Sequence, residues 1–371
     1  MRENIAVLHV SQPTSEGVAR VVEDLVRDQV ARGWDVTVAC PLDGPLRDNV
    51  VRDGAAHRAW AASRSPGIRT ARETASLRTV VSQTAPAVVH LHSSKAGLSG
   101  RLAMRGSRPT VFQPHGWSFW AATGVAGWGA LHWERIAGRW TDALVCVGEA
   151  ERAAGIARGI SAPWVVVRNG VDLTRWTSAS EAAKGEARAR LGLGPEPLAV
   201  CVGRLTRQKG QDVLVAAWPL VRAEIPGALL VLVGDGPDRS TLQRTRGPGV
   251  ELVGAQDDVA SWLAACDVAV LPSRWEGMSL SLLEAMASGR PVVATDVAGM
   301  REVLSRGGGE VVPVEDVSAL ARALTARLKE GQILPAEGAR ARATIEEHYD
   351  LRVTTDRIAQ IYEDVLSRRS R

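Results

Sequence analysis

Residues 267–295 read DVAVLPSRWEGMSLSLLEAMASGRPVVAT. Two short apolar, β-branched runs, DVAVLP (267–272) and PVVAT (291–295), bracket a turn and a helix-length segment. In that segment Leu280, Leu282, Leu283 and Met286 are placed to be buried. A strand, a helix and a second strand in this order form the crossover unit of a parallel sheet. Glu276 and Glu284, eight residues apart, are not needed for burial. The first lies in the loop after a strand and the second early in the helix.

The same alternation runs outward along the chain. In the first half the strand-like runs are 5–10, 35–40, 87–92, 109–113, 143–148 and 164–169. In the second half they are 198–203, 228–234, 250–254, 267–272 and 291–295. Near-continuous apolar strands separated by helices predict parallel sheets covered on both faces. Two series in succession predict two doubly wound α/β domains, in keeping with 371 residues. Residues 173–197 are polar, contain Gly and Pro, and read as the linker. Residues 338–367 read as helix throughout, with Ile358, Ile361, Tyr362 and Val365 on one stripe.

Composition narrows the function class. Hydrophobic and charged contents of 45% and 23% are those of an ordinary globular enzyme. Cys40, Cys146, Cys201 and Cys266 are widely spaced, which predicts buried reduced thiols and no metal site. The N-terminus lacks a signal-peptide apolar region, and no run reaches the roughly 18 apolar residues of a membrane span. A cytoplasmic protein is expected. Residues 58–108 carry nine basic residues and one acid, Glu73. This is either a solvated face or a surface for anionic lipid or an anionic acceptor. Nucleic acid is not expected, since no binding motif accompanies the charge.

In a parallel sheet, ligands bind beyond the carboxyl ends of strands. The first such loop, SQPTSEGVARVVEDL, places Gly17 just before a helix, where free amides can approach a phosphate. Taken alone, one loop glycine more often marks a plain turn. The absence of GxGxxG counts against a dinucleotide dehydrogenase. The loop VGRLTRQKGQD places Arg204 and Lys209 after Gly203, where two cations would neutralise a diphosphate and its developing charge. Glu276 and Glu284 can each accept hydrogen bonds from a pair of sugar hydroxyls. The amides of Gly277, Met278 and Ser279 open the following helix and can face a phosphate or sugar; a helix-favouring acid is the bland alternative. His115, in VFQPHGWSF, sits in a tight turn between Pro114 and Gly116.

Together these residues resemble the retaining glycosyltransferases of family 4. The strongest portion is EGMSLSLLEAMASGRPVVATDVAGMREVL (276–304), followed by GRLTRQKG (203–210) and RNGVD (168–172). The resemblance implies the GT-B fold: α/β, two Rossmann-like domains facing a central cleft. It implies an acceptor domain over 1–172, a nucleotide-sugar domain over 173–350, and a final segment, 351–371, crossing back onto the first. It also implies that Glu276 contacts donor-sugar hydroxyls, Glu284 the ribose, and Arg204 and Lys209 the diphosphate. Gly17 would approach the phosphate and His115 would face the donor sugar and the reacting centre, which makes His115, Arg204, Lys209 and Glu276 the implied catalytic set, with Gly203, Gly277, Met278, Ser279, Leu280 and Asn169 completing the substrate-binding set. The implied donor is a nucleotide-diphosphate sugar, a UDP-sugar, used without metal or other cofactor. A front-face reaction is favoured over Glu276 as nucleophile. Two departures stand out: Glu16-Gly17 and Ala298-Gly299, each where the family commonly has a glycine pair.

The stretch VVHLHSSKAGLSGRLA (88–103) is similar to members that build lipid-linked surface polysaccharides. Lys95, Arg101 and Arg105 lie in the basic segment, and residues 117–140 carry five of the twelve Trp. A polyprenyl-diphosphate-linked saccharide acceptor at an anionic membrane surface fits that pairing. Trp packed in the core, or a soluble natural-product acceptor, is the alternative. A nucleotide-sugar epimerase or an inactive binding subunit of the same fold are rivals of another class.

Overall fold

The computed structural model describes residues 4–122, 124–329 and 334–370. The chain divides into two compact units, Met1–Asn169 with Arg352–Arg371, and Gly170–Leu351. Each is built around one parallel sheet.

The first unit has seven strands: β1 (Ala6–Ser11), β2 (Asp35–Cys40), β3 (Ala56–Ala59), β4 (Val88–His92), β5 (Thr110–Gln113), β6 (Ala143–Cys146) and β7 (Trp164–Val166). Their order is β3-β2-β1-β4-β5-β6-β7, so the winding reverses between β1 and β4. Leu8, Val10, Val89, Leu91 and Phe112 are wholly buried in the cluster on one side of this sheet. The alternate positions of β1 and β4 hold His9, His90 and His92, also buried. Helix Leu351–Arg369 completes the unit with Ile358, Ile361, Tyr362 and Val365 buried, the stripe expected from sequence.

The second unit has six strands: β8 (Leu198–Val202), β9 (Leu229–Val233), β10 (Val250–Gly254), β11 (Val268–Leu271), β12 (Val292–Thr295) and β13 (Gly309–Val312). Their order, β10-β9-β8-β11-β12-β13, reverses between β8 and β11. Ala199, Cys201, Leu230, Leu232, Val268 and Val270 point into one apolar cluster. Leu198, Val200, Val231 and Val233 point into another, as both-face coverage requires. All four cysteines are free and buried.

Four expectations are corrected. Residues 173–197 are not a loose linker, because helix Glu181–Arg190 packs Ala187 into the second unit. Lys184 and Arg188 reach Asp267 at 2.6 and 2.9 Å, tying that helix to the start of β11. The terminal helix is broken at Tyr349–Asp350, where Asp350 bridges Val171 and splits it into Leu334–His348 and Leu351–Arg369. Strands β3 and β13, AHRA and GEVV, are edge strands too short and mixed to announce themselves. Finally, two cations of the basic segment face inward. Lys95 pairs with Glu73 at 2.5 Å, and Arg101, wholly buried over the Phe112 ring, pairs with Glu134 at 2.8 Å. Their charges are spent inside the fold.

Candidate functional site

In the second unit the loops after β8 and β11 flank the point where strand order reverses, the usual ligand position of a doubly wound sheet. They are locked together. Gly210 has φ +66°, and a Cβ there would lie 2.0 Å from the Pro272 carbonyl oxygen, so only glycine allows this approach. Gln208 donates to the Trp275 carbonyl at 3.0 Å, and the Arg274 amide donates to the Gln208 carbonyl at 2.7 Å. The Arg274 guanidinium holds both oxygens of Asp212, at 2.8 and 2.7 Å, and reaches Glu315 at 2.6 Å.

Within this frame Lys209 Nζ meets Glu276 Oε1 at 2.5 Å, and Ser273 Oγ donates to the same oxygen at 3.0 Å. The Lys209 stem lies over Gly203, about 3.5 Å from where a Cβ would be. Arg204 is half-buried, its carbonyl accepting from Gln211 at 3.0 Å. Helix Leu280–Ala287 begins after Ser279, which has extended backbone. Leu280 is half-buried, as is Glu284 one turn in; Met278 and Ser279 are buried. Among the described residues, the buried hydroxyls of Thr206 and Ser279 have no hydrogen-bond partner. Both belong to these two loops, and an oxygen-rich ligand would satisfy them.

The Ala298-Gly299 departure has a structural account. Ala298 is exposed, whereas a Cβ on Gly299 would lie 1.5 Å from the Gly277 carbonyl oxygen. The glycine that the loop needs is present.

The first unit carries the other predicted residues. Gly17 is the second residue of helix Glu16–Ala31, exposed, with no atom within 4 Å of a Cβ built there. Packing therefore does not require glycine at that position. Glu16 has φ +64°, a left-handed conformation that glycine adopts more readily. His115 also has positive φ, +55°, followed by Gly116 at +108°. Glu151 braces this turn, accepting the Gly116 and Val147 amides at 2.6 and 2.7 Å. Burial pushes the Glu151 carboxyl up to about 7 despite those bonds. Asn169 is buried at the last position of the first unit's main segment.

Sequence reading missed what stands behind His115. Its Nε2 lies 3.1 Å from His92 Nδ1, and His92 Nε2 lies 2.9 Å from His9 Nδ1. His9 Nε2 in turn meets Gln29 Oε1 at 2.8 Å. The signal was available: two histidines at i, i+2 in β4 occupy positions that a buried strand fills with apolar residues.

Residues 15–175 match the family profile described as Glycosyltransferase Family 4, and residues 196–330 that described as Glycosyl transferases group 1. The UDP-Gal:alpha-D-GlcNAc-diphosphoundecaprenol alpha-1,3-galactosyltransferase of Escherichia coli is 28% identical over 98% of this chain and 97% of its own. A GDP-mannose-dependent phosphatidylinositol monomannoside mannosyltransferase of Mycolicibacterium smegmatis is 33% identical, over 71% of this chain and 72% of its own. Among solved structures, Anabaena Alr3699/HepE in complex with UDP-glucose superposes with a TM-score of 0.85. It is 21% identical, and the match covers 97% of this chain and all of that one.

Proposed function

The chain belongs to the family 4 glycosyltransferases of GT-B fold, and on that premise we propose that it moves a sugar from a UDP-sugar to a hydroxyl of a polyprenyl-diphosphate-linked saccharide, with retention at the anomeric carbon. The observation that carries this reading is the pairing of Lys209 with Glu276 across two locked loops at the switch point, beside two unpartnered hydroxyls. A diphosphate entering these loops competes for Lys209 and, with Arg204, has its charge neutralised as it leaves. Glu276, released from the lysine, then takes the hydroxyls of the transferred sugar, while Glu284 takes the ribose. Gly203, Gly277, Met278, Ser279 and Leu280 line the donor's path; Gly17, His115 and Asn169 serve from their own positions. The two cations supply the charge neutralisation that a metal provides elsewhere.

The choice of uridine rests on the relative matched along nearly its whole length, which is named for UDP-Gal. The lipid-linked acceptor rests on the same relative and on helix Gly124–Ala137. Along it Val125, Trp128 and Ile136 are 85%, 63% and 44% exposed, at spacings that put them on one stripe. Exposed Arg135 and Arg139 flank the stripe. Such a face suits an anionic membrane surface, at the inner face of the plasma membrane. Among the described residues no helix is long and apolar enough to cross a membrane, so docking would be peripheral. Of the five Trp in this region, Trp117 is buried and packs the core, while Trp128 is exposed.

The test is release of the matching nucleoside diphosphate, UDP or GDP, from a panel of UDP- and GDP-sugars, with and without membrane extract, followed by anomer assignment of the product. Acceptor-dependent UDP release with a retained anomer is expected. Release only from GDP-sugars, or full activity with soluble acceptors alone, would sink the respective part of the reading.

A further inference from the structure

His9, His90 and His92 occupy one face of β1 and β4, since His9 pairs with His90 in the ladder and His92 follows two residues on. All are wholly buried. Burial lowers His9 to about 4 and His115 to about 3, and takes His90 and His92 well below the usual range. Each ring is therefore neutral at pH 7, with one N–H and one lone pair.

The bond directions then follow from one end. Gln29 Oε1 can only accept, so His9 carries its proton on Nε2. His9 Nδ1 must accept from His92 Nε2–H. His92 Nδ1 must in turn accept from His115 Nε2–H, which leaves the lone pair of His115 on Nδ1. Among the described residues no protein group bonds that nitrogen. We propose that Gln29, His9 and His92 are positioning residues that hold His115 in its Nε2–H tautomer, so that Nδ1 accepts a hydrogen bond from a sugar hydroxyl. This rests on the reading that His115 faces the donor sugar. Turning the Gln29 amide over would reverse every bond in the row and convert Nδ1 into a donor. One buried amide thus sets the polarity of a ring three hydrogen bonds away.

One ring nitrogen from each of His9, His90 and His92 also lies within 4.8 Å of the other two, close enough to hold a metal ion. That use would break the row, because both nitrogens of His9 and of His92 are already bonded. The three rings include no carboxylate to balance a buried dication.

Nitrogen-15 imidazole spectra of the full-length protein at pH 7 decide the matter, with signals assigned from single histidine variants. His9, His92 and His115 should all be protonated on Nε2. Gln29→Met removes the terminal acceptor, and the His115 signals should move toward a mixture of tautomers. In the same variant kcat should fall about tenfold, the worth of one hydrogen bond, with donor KM little changed. A wild-type His115 protonated on Nδ1 overturns the proposal without any variant being needed. So does an unchanged His115 spectrum in Gln29→Met, or one equivalent of zinc in the purified protein. Expected spectra with full kcat in Gln29→Met would uphold the tautomer row and remove His115 from the donor site.

Discussion

Only 8% of the surface of Glu276 is exposed, and Lys209 and Ser273 both bond its carboxylate. Lys209→Ala strands a mostly buried carboxylate and should lower stability by about 1–3 kcal/mol. Adding Glu276→Gln should recover most of that loss, while either single variant cuts kcat about a hundredfold or more. Urea unfolding and initial rates of the three variants read both effects; additive stability losses would refute the coupling. Glu151 gives a pH prediction. Its folded pKa of about 7 lies above its unfolded value of 4.5, so the native state binds the extra proton. The stabilisation this supplies is complete below about pH 4.5 and is lost as pH rises through 7, about 3 kcal/mol in all. Melting temperatures of wild type and Glu151→Gln from pH 5 to 8 should show the wild type losing ground steadily. A constant difference would mean that Glu151 does not titrate there.

At the scale of elements, the loop carrying Gly277 rests against the start of helix Ala298–Leu304 through Gly299. Gly299→Ala must displace the Gly277 backbone, and a shift of about 1 Å near the chemistry can cost roughly a hundredfold in rate. Ala298→Gly, at an exposed position, should change kcat less than twofold. Comparing the two rates tests whether loop position or mere glycine content matters. The loops after β8 and β11 were legible in the sequence because their chemistry is local: a strand, a Gly, two cations, then two acids around a helix start. The parallel strands were legible for the same reason, through continuous apolar runs. What escaped was assembled over long separations. Gln29, His9, His92 and His115 meet only through the ladder, and Lys95 and Arg101 read as surface charge until Glu73 and Glu134 are brought to them. The helix break at Asp350 was equally hidden, because its cause, Val171, lies far back in the chain.

Across the whole molecule the first unit is discontinuous, closed by helix Leu351–Arg369. Ile358, Ile361, Tyr362 and Val365 are each worth about 1.5–3 kcal/mol when fully buried, a sum that rivals the stability of a domain. Tyr362 also meets His90 Nδ1 at 2.7 Å, and Arg369 holds Asp142 at 2.8 Å. Ending the chain at Leu351 should leave the first unit unfolded and the second intact, since the latter's contacts end there. Limited proteolysis checks this: a resistant fragment of the second unit is expected, and equal resistance of both would contradict it.

The returning helix also orders events during translation. The first unit cannot be completed until its second segment, Arg352–Arg371, has left the ribosome. At roughly 5–20 residues per second, the intervening unit keeps its apolar surface waiting for about ten seconds or longer. The second unit, contiguous in the chain, can fold in that interval. The second unit is thus free to fold before the first, and until then the first segment exposes the apolar surface that Ile358, Ile361, Tyr362 and Val365 later cover.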